Sequence, residues 1–248
     1  TYFFGDDGPP LPHGVRARWR SAPSDPHGWH ANMIGAIEGP AEMIGDVLDI
    51  AIRWFGHRGA DTWVDADEWS AVFRDPELAE RRGFVLNDDW DVMACWEHIA
   101  PAQTTAASLQ DIRTRDEFLV AARIAEHAEL HRNPTREDVE RRMERYWREY
   151  NDWDSQFVLA WLDGHPVGTA RLTDEQVPVL VGVATLPEAR GRGVASMMTS
   201  VLSARALKSR DVCSLYVERD SQAAGIYRRI GYRPLFRTRA WVRRLEGA

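Results

Sequence analysis

The run Arg190-Gly191-Arg192-Gly193-Val194-Ala195-Ser196 constrains this chain more than any other stretch. It stands after the apolar run Val177 to Thr185 and ahead of the run Met197 to Leu207, so it reads as a strand-to-helix turn. Glycines let backbone N–H groups approach an anion closely, because no Cβ intervenes. The orphan N–H groups and dipole of the following helix add to that attraction. The turn is therefore suited chemically to a pyrophosphate. It is not a Walker loop, since no Gly-Lys-Ser/Thr follows. It also lacks the third glycine and later acid of a dinucleotide fingerprint. Taken alone, a Gly-x-Gly turn is equally compatible with a plain connection.

Its surroundings narrow the choice. Phe157 to Leu162 and Pro166 to Leu172 flank Asp163-Gly164, a clear hairpin pattern. A second turn at Thr173 to Gln176 leads into the apolar run before the glycines. Upstream, Leu109 to Arg113 suggests a strand and Arg115 to Leu130 a helix. Another helix opens at Asn133-Pro134-Thr135, with Thr135 and Asp138 spaced as a capping box. Val139, Met143, Tyr146, Trp147 and Tyr150 follow at helical intervals, a stripe that reads as core before it reads as site. Downstream come Leu215-Tyr216-Val217, a helix closing at Gly231-Tyr232 and a final strand. This alternation predicts a mixed α/β sheet covered by helices.

The first hundred residues are less regular. Residues 1–12 read as a loose lead-in and Val15 to Arg20 as a strand. His30 to Trp54 looks largely helical, interrupted near Gly39-Pro40. Trp63-Val64 suggests a strand, Asp67 to Arg82 a helix capped by Gly83, and Phe84 to Ile99 extended chain. Pro101 to Ser108 is small and polar and is the best linker. The expected domains are therefore 1–104 and 105–248, each near the usual ~100–200 residues. Residues 78–96 also align without gaps on 226–244, with Gly83-Phe84 over Gly231-Tyr232. Either this echo is a duplication, or two short helix-turn-strand units look alike by chance.

Bulk properties exclude several classes. A net charge of −7 gives no basic footprint for nucleic acid. No run approaches the ~18 apolar residues that cross a bilayer. Thr1 to Pro12 lacks the cationic-then-apolar order of a secretory signal. The two cysteines, Cys95 and Cys213, have no metal-ligand spacing and read as buried thiols. A reducing cytoplasm is the expected compartment. His127 and His131 have i,i+4 spacing but no third ligand, so no metal is expected.

Two motifs together resemble the GCN5-related N-acetyltransferase (GNAT) superfamily. The first is its cofactor loop, Arg/Gln-x-x-Gly-x-Gly/Ala, matched by Arg190, Gly193 and Ala195, with Pro187 ahead of it. The second is Asn-x-x-Ala-x-x-x-Tyr with a closing Gly-Phe, matched by Asp220, Ala223, Tyr227 and Gly231-Tyr232. Asp220 departs from the usual asparagine. The resemblance covers about 105–248 and reaches 1–104 only through the echo. It implies a largely antiparallel mixed sheet flanked by helices, preceded by a smaller, degenerate GNAT-like unit. That first unit has Ala79 at the tyrosine position and no cofactor loop.

The resemblance also implies acetyl-CoA as cofactor and direct attack by an amine on its thioester. Backbone groups from Val183 to Thr185 would hold the thioester and pantetheine. Arg190, Gly191, Arg192, Gly193, Val194 and Ala195 would grip the pyrophosphate, with Asp220 and Ala223 near the pantetheine. Tyr227 would protonate the leaving thiolate. Candidate bases are Glu175 and Glu218, with Asp174 beside the first. Glu126, His127, Trp147 and Tyr150 would wall the acceptor pocket. Arg233, Arg237, Arg239, Arg243 and Arg244 would favour a 3′-phosphate, or simply form a solvated strand face. The expected activity is acetyl transfer to a primary amine of a small molecule, such as an aminoglycoside-like or other amino-containing metabolite. The alternatives are a non-catalytic acyl-CoA-binding regulator and a relative using another acyl group or a hydroxyl acceptor. The expected partner is the small amine, not nucleic acid or membrane; a homodimer is compatible.

Overall fold

The computed structural model describes residues 8–21, 26–27, 32–97, 100, 105–130, 135–153 and 155–245. The chain divides into two compact units. One holds Thr1–Asp91 and Phe236–Ala248, the other Val92–Leu235. The chain thus passes between units twice rather than once near 104, because the last strand returns to the first unit. Half of the expected linker, 101–104, lies outside the described residues.

In the first unit, β1 (Arg16–Arg20) pairs antiparallel with β2 (Met33–Glu38). Helix α1 (Ile44–Gly56) then carries the chain to β3 (Thr62–Asp67), which lies parallel to β2. Val47, Leu48, Ala51 and Phe55 on α1 are fully buried, in a cluster with Trp19, Val64 and Trp241. Two short helices follow, α2 (Ala71–Arg74) and α3 (Glu77–Glu80), before β4 (Val85–Cys95) crosses into the second unit.

Two expectations need correcting here. Met33 to Glu38 is a strand, not the start of a helix; a short apolar run has no period long enough to tell them apart. The single helix over Asp67 to Arg82 is instead α2 and α3. Pro76 donates no N–H and pushes Asp75 out of helical conformation, to φ −125° and ψ 82°.

In the second unit, β5 (Ser108–Asp111) is followed by α4 (Arg115–Leu130) and α5 (Arg136–Trp153). The capping box forms as spaced: Asp138 N–H donates to Thr135 Oγ1 at 3.2 Å, and Thr135 N–H to Asp138 Oδ2 at 3.0 Å. Then come β6 (Gln156–Leu162), β7 (His165–Leu172) and β8 (Val179–Thr185), each antiparallel to its neighbour in the order β5-β6-β7-β8. Helix α6 (Val194–Ala206) leads to β9 (Cys213–Glu218), parallel to β8, and α7 (Gln222–Ile230) leads to β10 (Arg233–Arg243). The C-terminal part of β10 pairs antiparallel with β3 in the first unit. Both units are thus mixed, largely antiparallel sheets with helices, as expected.

The two units share local geometry. In each, a strand pair skips register beside one residue with positive φ, Ala36 (49°) in β2 and Gly182 (62°) in β8. In each, a 13-residue helix, α1 or α6, connects the parallel strands. Ser70 and Ser221 cap the next helices, each accepting the N–H three residues on. Gly83 and Gly231 then turn left-handed, and β4 and β10 each run 11 residues. One difference stands out. The strand end and a 3-10 turn lead straight into α1 at Ile44, whereas Arg190 to Gly193 intervene before α6.

The α4–α5 layer is held by Phe118, which is fully buried with ring centroids 5.0 to 5.6 Å from Phe157, Tyr150 and Trp147. Phe118→Ala is expected to destabilise the protein by about 3–5 kcal/mol, checked by urea denaturation; a loss under about 1 kcal/mol would contradict this packing.

Candidate active site

Strand β8 organises the site. Its residues pair with β7 as Leu172↔Leu180, Arg171↔Val181, Thr169↔Ala184 and Gly168↔Thr185, which leaves Gly182 and Val183 bulged out. Against β9, the register runs only through Val179↔Ser214 and Leu180↔Leu215. The parallel ladder with β9 ends there, and Val181 to Thr185 continue beyond it. Gly182 has φ +62°, a conformation that side chains with a Cβ rarely adopt.

The glycine loop leaves the same end of β8. Gly191 and Gly193 have φ +75° and +79°, and a Cβ on Gly191 would meet nothing within 4 Å. Gly193 is the N-cap of α6, whose first-turn amides have no helical partner. The two arginines turn away from the loop's centre. Arg190 Nε donates to the Thr185 carbonyl and Nη2 to the Ala128 carbonyl, both at 3.3 Å, tying the loop to β8 and α4. Arg192 Nη2 reaches Asp163 Oδ2 at 2.9 Å. The loop therefore offers backbone N–H groups of Gly191, Arg192, Gly193, Val194 and Ala195 rather than guanidinium charge.

Tyr227 lies on α7 and is buried in the same cluster as Val217 and Val194, with Ala223 packed against it. Burial away from water pushes its phenol up to about 12, so it stays protonated across the physiological range. Tyr232 is different. Its hydroxyl is 2.7 Å from Ser203 Oγ and 3.2 Å from Cys213 Sγ, and burial raises its pKa as well. Cys95 joins this cluster by a hydrogen bond with the Cys213 thiol; both thiols are free and buried, as the sequence suggested.

Asp220, at the family's asparagine position, is exposed with φ +58°, a left-handed conformation that Asp and Asn tolerate. Glu218 is exposed at the C-terminal end of β9, at the level of the β8 bulge. Glu175 sits in the turn before β8, at the strand's other end, where its carbonyl accepts from Arg210 Nε at 3.2 Å. Asp174 pairs with the same arginine at 3.1 Å. Glu175 and Glu218 thus stand at opposite ends of the β8–β9 pair.

On the helices, Trp147 and Tyr150 pack on Phe118, and His127 is half-buried. Glu126 is buried and paired with Arg142 of α5. Arg142 also donates through Nη1 to the Tyr146 hydroxyl at 3.4 Å. The sequence reading placed Tyr146 in the core stripe; yet a Cβ built on Gly182 would lie 3.8 Å from its hydroxyl. Of the C-terminal arginines, Arg237 and Arg239 hold Asp89 at 2.6 and 3.2 Å, and Arg244 holds Asp61 at 2.7 Å. No group of three metal-binding side chains occurs among the described residues, and no described helix is long and apolar enough to cross a membrane.

A mixed sheet with a bulged strand, followed by a glycine turn and a helix N-terminus, is the arrangement the comparisons with known proteins bear on. Residues 124–232, all within the second unit, match the family model of the acetyltransferase (GNAT) family. The search of curated proteins returned no match. Among solved structures, the chain resembles a functionally unknown conserved protein from Staphylococcus epidermidis, with TM-score 0.74 and 12% identity over 96% of this chain and 95% of the other. It also resembles a GCN5-related N-acetyltransferase from Sphaerobacter thermophilus, with TM-score 0.70 and 18% identity over 94% and 77%. A tandem GNAT protein from the clavulanic acid biosynthesis pathway gives TM-score 0.58 and 13% identity over 95% and 80%.

The raised phenol makes a pH prediction. A tyrosine titrating near 10 when unfolded and about 12 when folded adds stability below pH 10, and that stability fades as pH rises toward 12. Between pH 9 and 11 the wild type should lose more stability in urea than Tyr227→Phe, and equal losses would show that Tyr227 is solvated.

Proposed function

We propose that the second unit transfers the acetyl group of acetyl-CoA to a primary amine of a small molecule. One observation carries this reading: the β8 bulge, the amide-lined glycine turn and the buried Tyr227 phenol belong to adjoining elements of one unit. The residues fit the cofactor. Gly191, Arg192, Gly193, Val194 and Ala195 would hold its pyrophosphate through N–H groups, with room above Gly191 for the close approach. Amides of Val183 and Thr185 would hold the thioester and pantetheine, and would stabilise the carbonyl oxygen as charge develops.

The amine nitrogen forms a bond to the thioester carbon, and the carbon–sulfur bond breaks. An amine near pKa ~10.4 is protonated at neutral pH and must first shed a proton. We assign that step to Glu218, through water, because it is the sequence-predicted carboxylate that stands at the open end of β8 and β9. The nitrogen sheds a second proton as the amide forms and the departing thiolate gains one, so one proton is released to solvent overall. Full transfer from a phenol at about 12 to a thiolate of reference pKa ~8.5 is uphill. Tyr227 therefore serves as a hydrogen-bond donor to the sulfur as its charge builds, while solvent supplies the proton.

The first unit reads as a second copy of the same fold that lacks the residues equivalent to Arg190 to Gly193. The shared bulge, capping serines and left-handed glycines support this reading. Without the glycine turn it has no place for a pyrophosphate. Calorimetry should therefore give one acetyl-CoA per chain, and two would overturn the assignment.

Gly191 offers a sharper test. Asp and Asn both tolerate left-handed φ, so neither variant should disturb the fold. Gly191→Asn should weaken acetyl-CoA binding by less than about threefold. Gly191→Asp sets a carboxylate against the pyrophosphate and should weaken it by about tenfold or more. Equal effects would mean that no anion sits there. Tyr227→Phe should lower kcat by about 10- to 100-fold in a thiol-release assay, with acetyl-CoA affinity nearly unchanged.

A further inference from the structure

The acceptor side of the bulge carries an arrangement that the transfer chemistry does not use. Tyr146 is buried on α5 with its hydroxyl aimed at β8, 3.8 Å from where a Cβ on Gly182 would stand. The hydroxyl therefore lies next to the left-handed backbone of the β8 bulge. Behind it, Arg142 Nη1 donates to the phenol oxygen at 3.4 Å, and Arg142 is fixed in turn by Glu126 of α4. Both charged side chains are nearly buried, 12% and 11% exposed. The Arg145 guanidinium lies 5.6 Å over the same tyrosine ring.

This geometry sets the direction of hydrogen bonding. Arg142 has only protons to give, so it occupies a lone pair of the phenol oxygen. The phenol's own proton is then turned toward the space beside Gly182, where it acts as a donor. Its natural partner is an oxygen bearing negative charge. Glu126 cannot anchor a cationic acceptor, because Arg142 already neutralises it.

Building on the acetyl transfer proposed above, we infer that Tyr146 is a specificity-determining residue that orients the acceptor by donating to a carboxylate on it. The acceptor class is then an amine that also carries a carboxylate, as in an amino acid, rather than a polyamine or aminoglycoside. Arg142 and Glu126 are positioning residues, acting only through Tyr146.

The test uses the full chain, acetyl-CoA and matched amine pairs with and without the carboxylate: lysine and cadaverine, ornithine and putrescine, phenylalanine and phenethylamine, the second member of each lacking only the α-carboxylate. Thiol release should favour the first member of at least one pair by about tenfold in kcat/KM, the effect of one charge-assisted hydrogen bond. Tyr146→Phe keeps the ring and removes the donor. It should erase most of that preference by raising KM for the carboxylate-bearing member, while KM for acetyl-CoA stays within about twofold. A purely structural role would lower melting temperature and activity on both members alike, leaving the ratio unchanged. An unchanged ratio, a preference for the decarboxylated members, or no turnover of any carboxylate-bearing amine would overturn the inference. Calorimetry with acetyl-CoA separates the two proposals: failure of the wild type to bind it sinks acetyl transfer itself, whereas binding with any of those outcomes sinks only the role of Tyr146.

Discussion

The bulge in β8 is the constraint on which the second unit depends. A regular strand would pair both edges and use every backbone donor in the sheet. Here Gly182 turns left-handed, the register with β7 skips and the parallel pairing with β9 ends after Leu180. The same departure sets the left-handed backbone of Gly182 against the Tyr146 hydroxyl and precedes the glycine turn. It is a cost in lost ladder hydrogen bonds, and strands keep such a cost where it serves the surroundings.

The layers around the bulge hold it rigid. Met198 and Val194 of α6 would each lie within 3.1 Å of a Cβ on Gly168, so α6 packs directly on β7 because no side chain keeps them apart. Arg190 locks the turn to the carbonyls of Thr185 and Ala128, which joins loop, strand and helix at one point. On the other face, the aromatic group around Phe118 fixes α4 and α5, and with them the buried Glu126–Arg142 pair. A buried ion pair is costly unless both partners are satisfied, and Tyr146 takes part in that satisfaction.

The first unit shows what happens when one part is removed. It keeps a bulge at Ala36, a non-glycine residue in left-handed conformation, and keeps the helix between parallel strands. It has no counterpart of Arg190 to Gly193. Four residues thus separate the two strand-to-helix connections. The long strands β4 and β10 start with exposed ends and finish buried, in each case after a glycine turn.

The sequence by itself determined the elements with strong local signals. Asp163-Gly164 between alternating strands set the hairpin, Thr135 and Asp138 set a helix start, and Gly191 and Gly193 set a left-handed turn. These signals act over three or four residues, so chain order carries them fully. Met33 to Glu38 was illegible because a six-residue apolar run suits helix or strand equally, and only pairing with β1 and β3 decides it. Tertiary structure alone placed Glu175 and Glu218 at opposite ends of the parallel strands, brought Cys95 to Cys213, and neutralised Glu126 with Arg142. It also took Tyr146 out of an apparent core stripe and faced its hydroxyl toward Gly182. The physical reason is the same in each case. A helical stripe tells which residues are buried, but hydrogen-bond partners come from segments distant in sequence, and only the packed fold selects them.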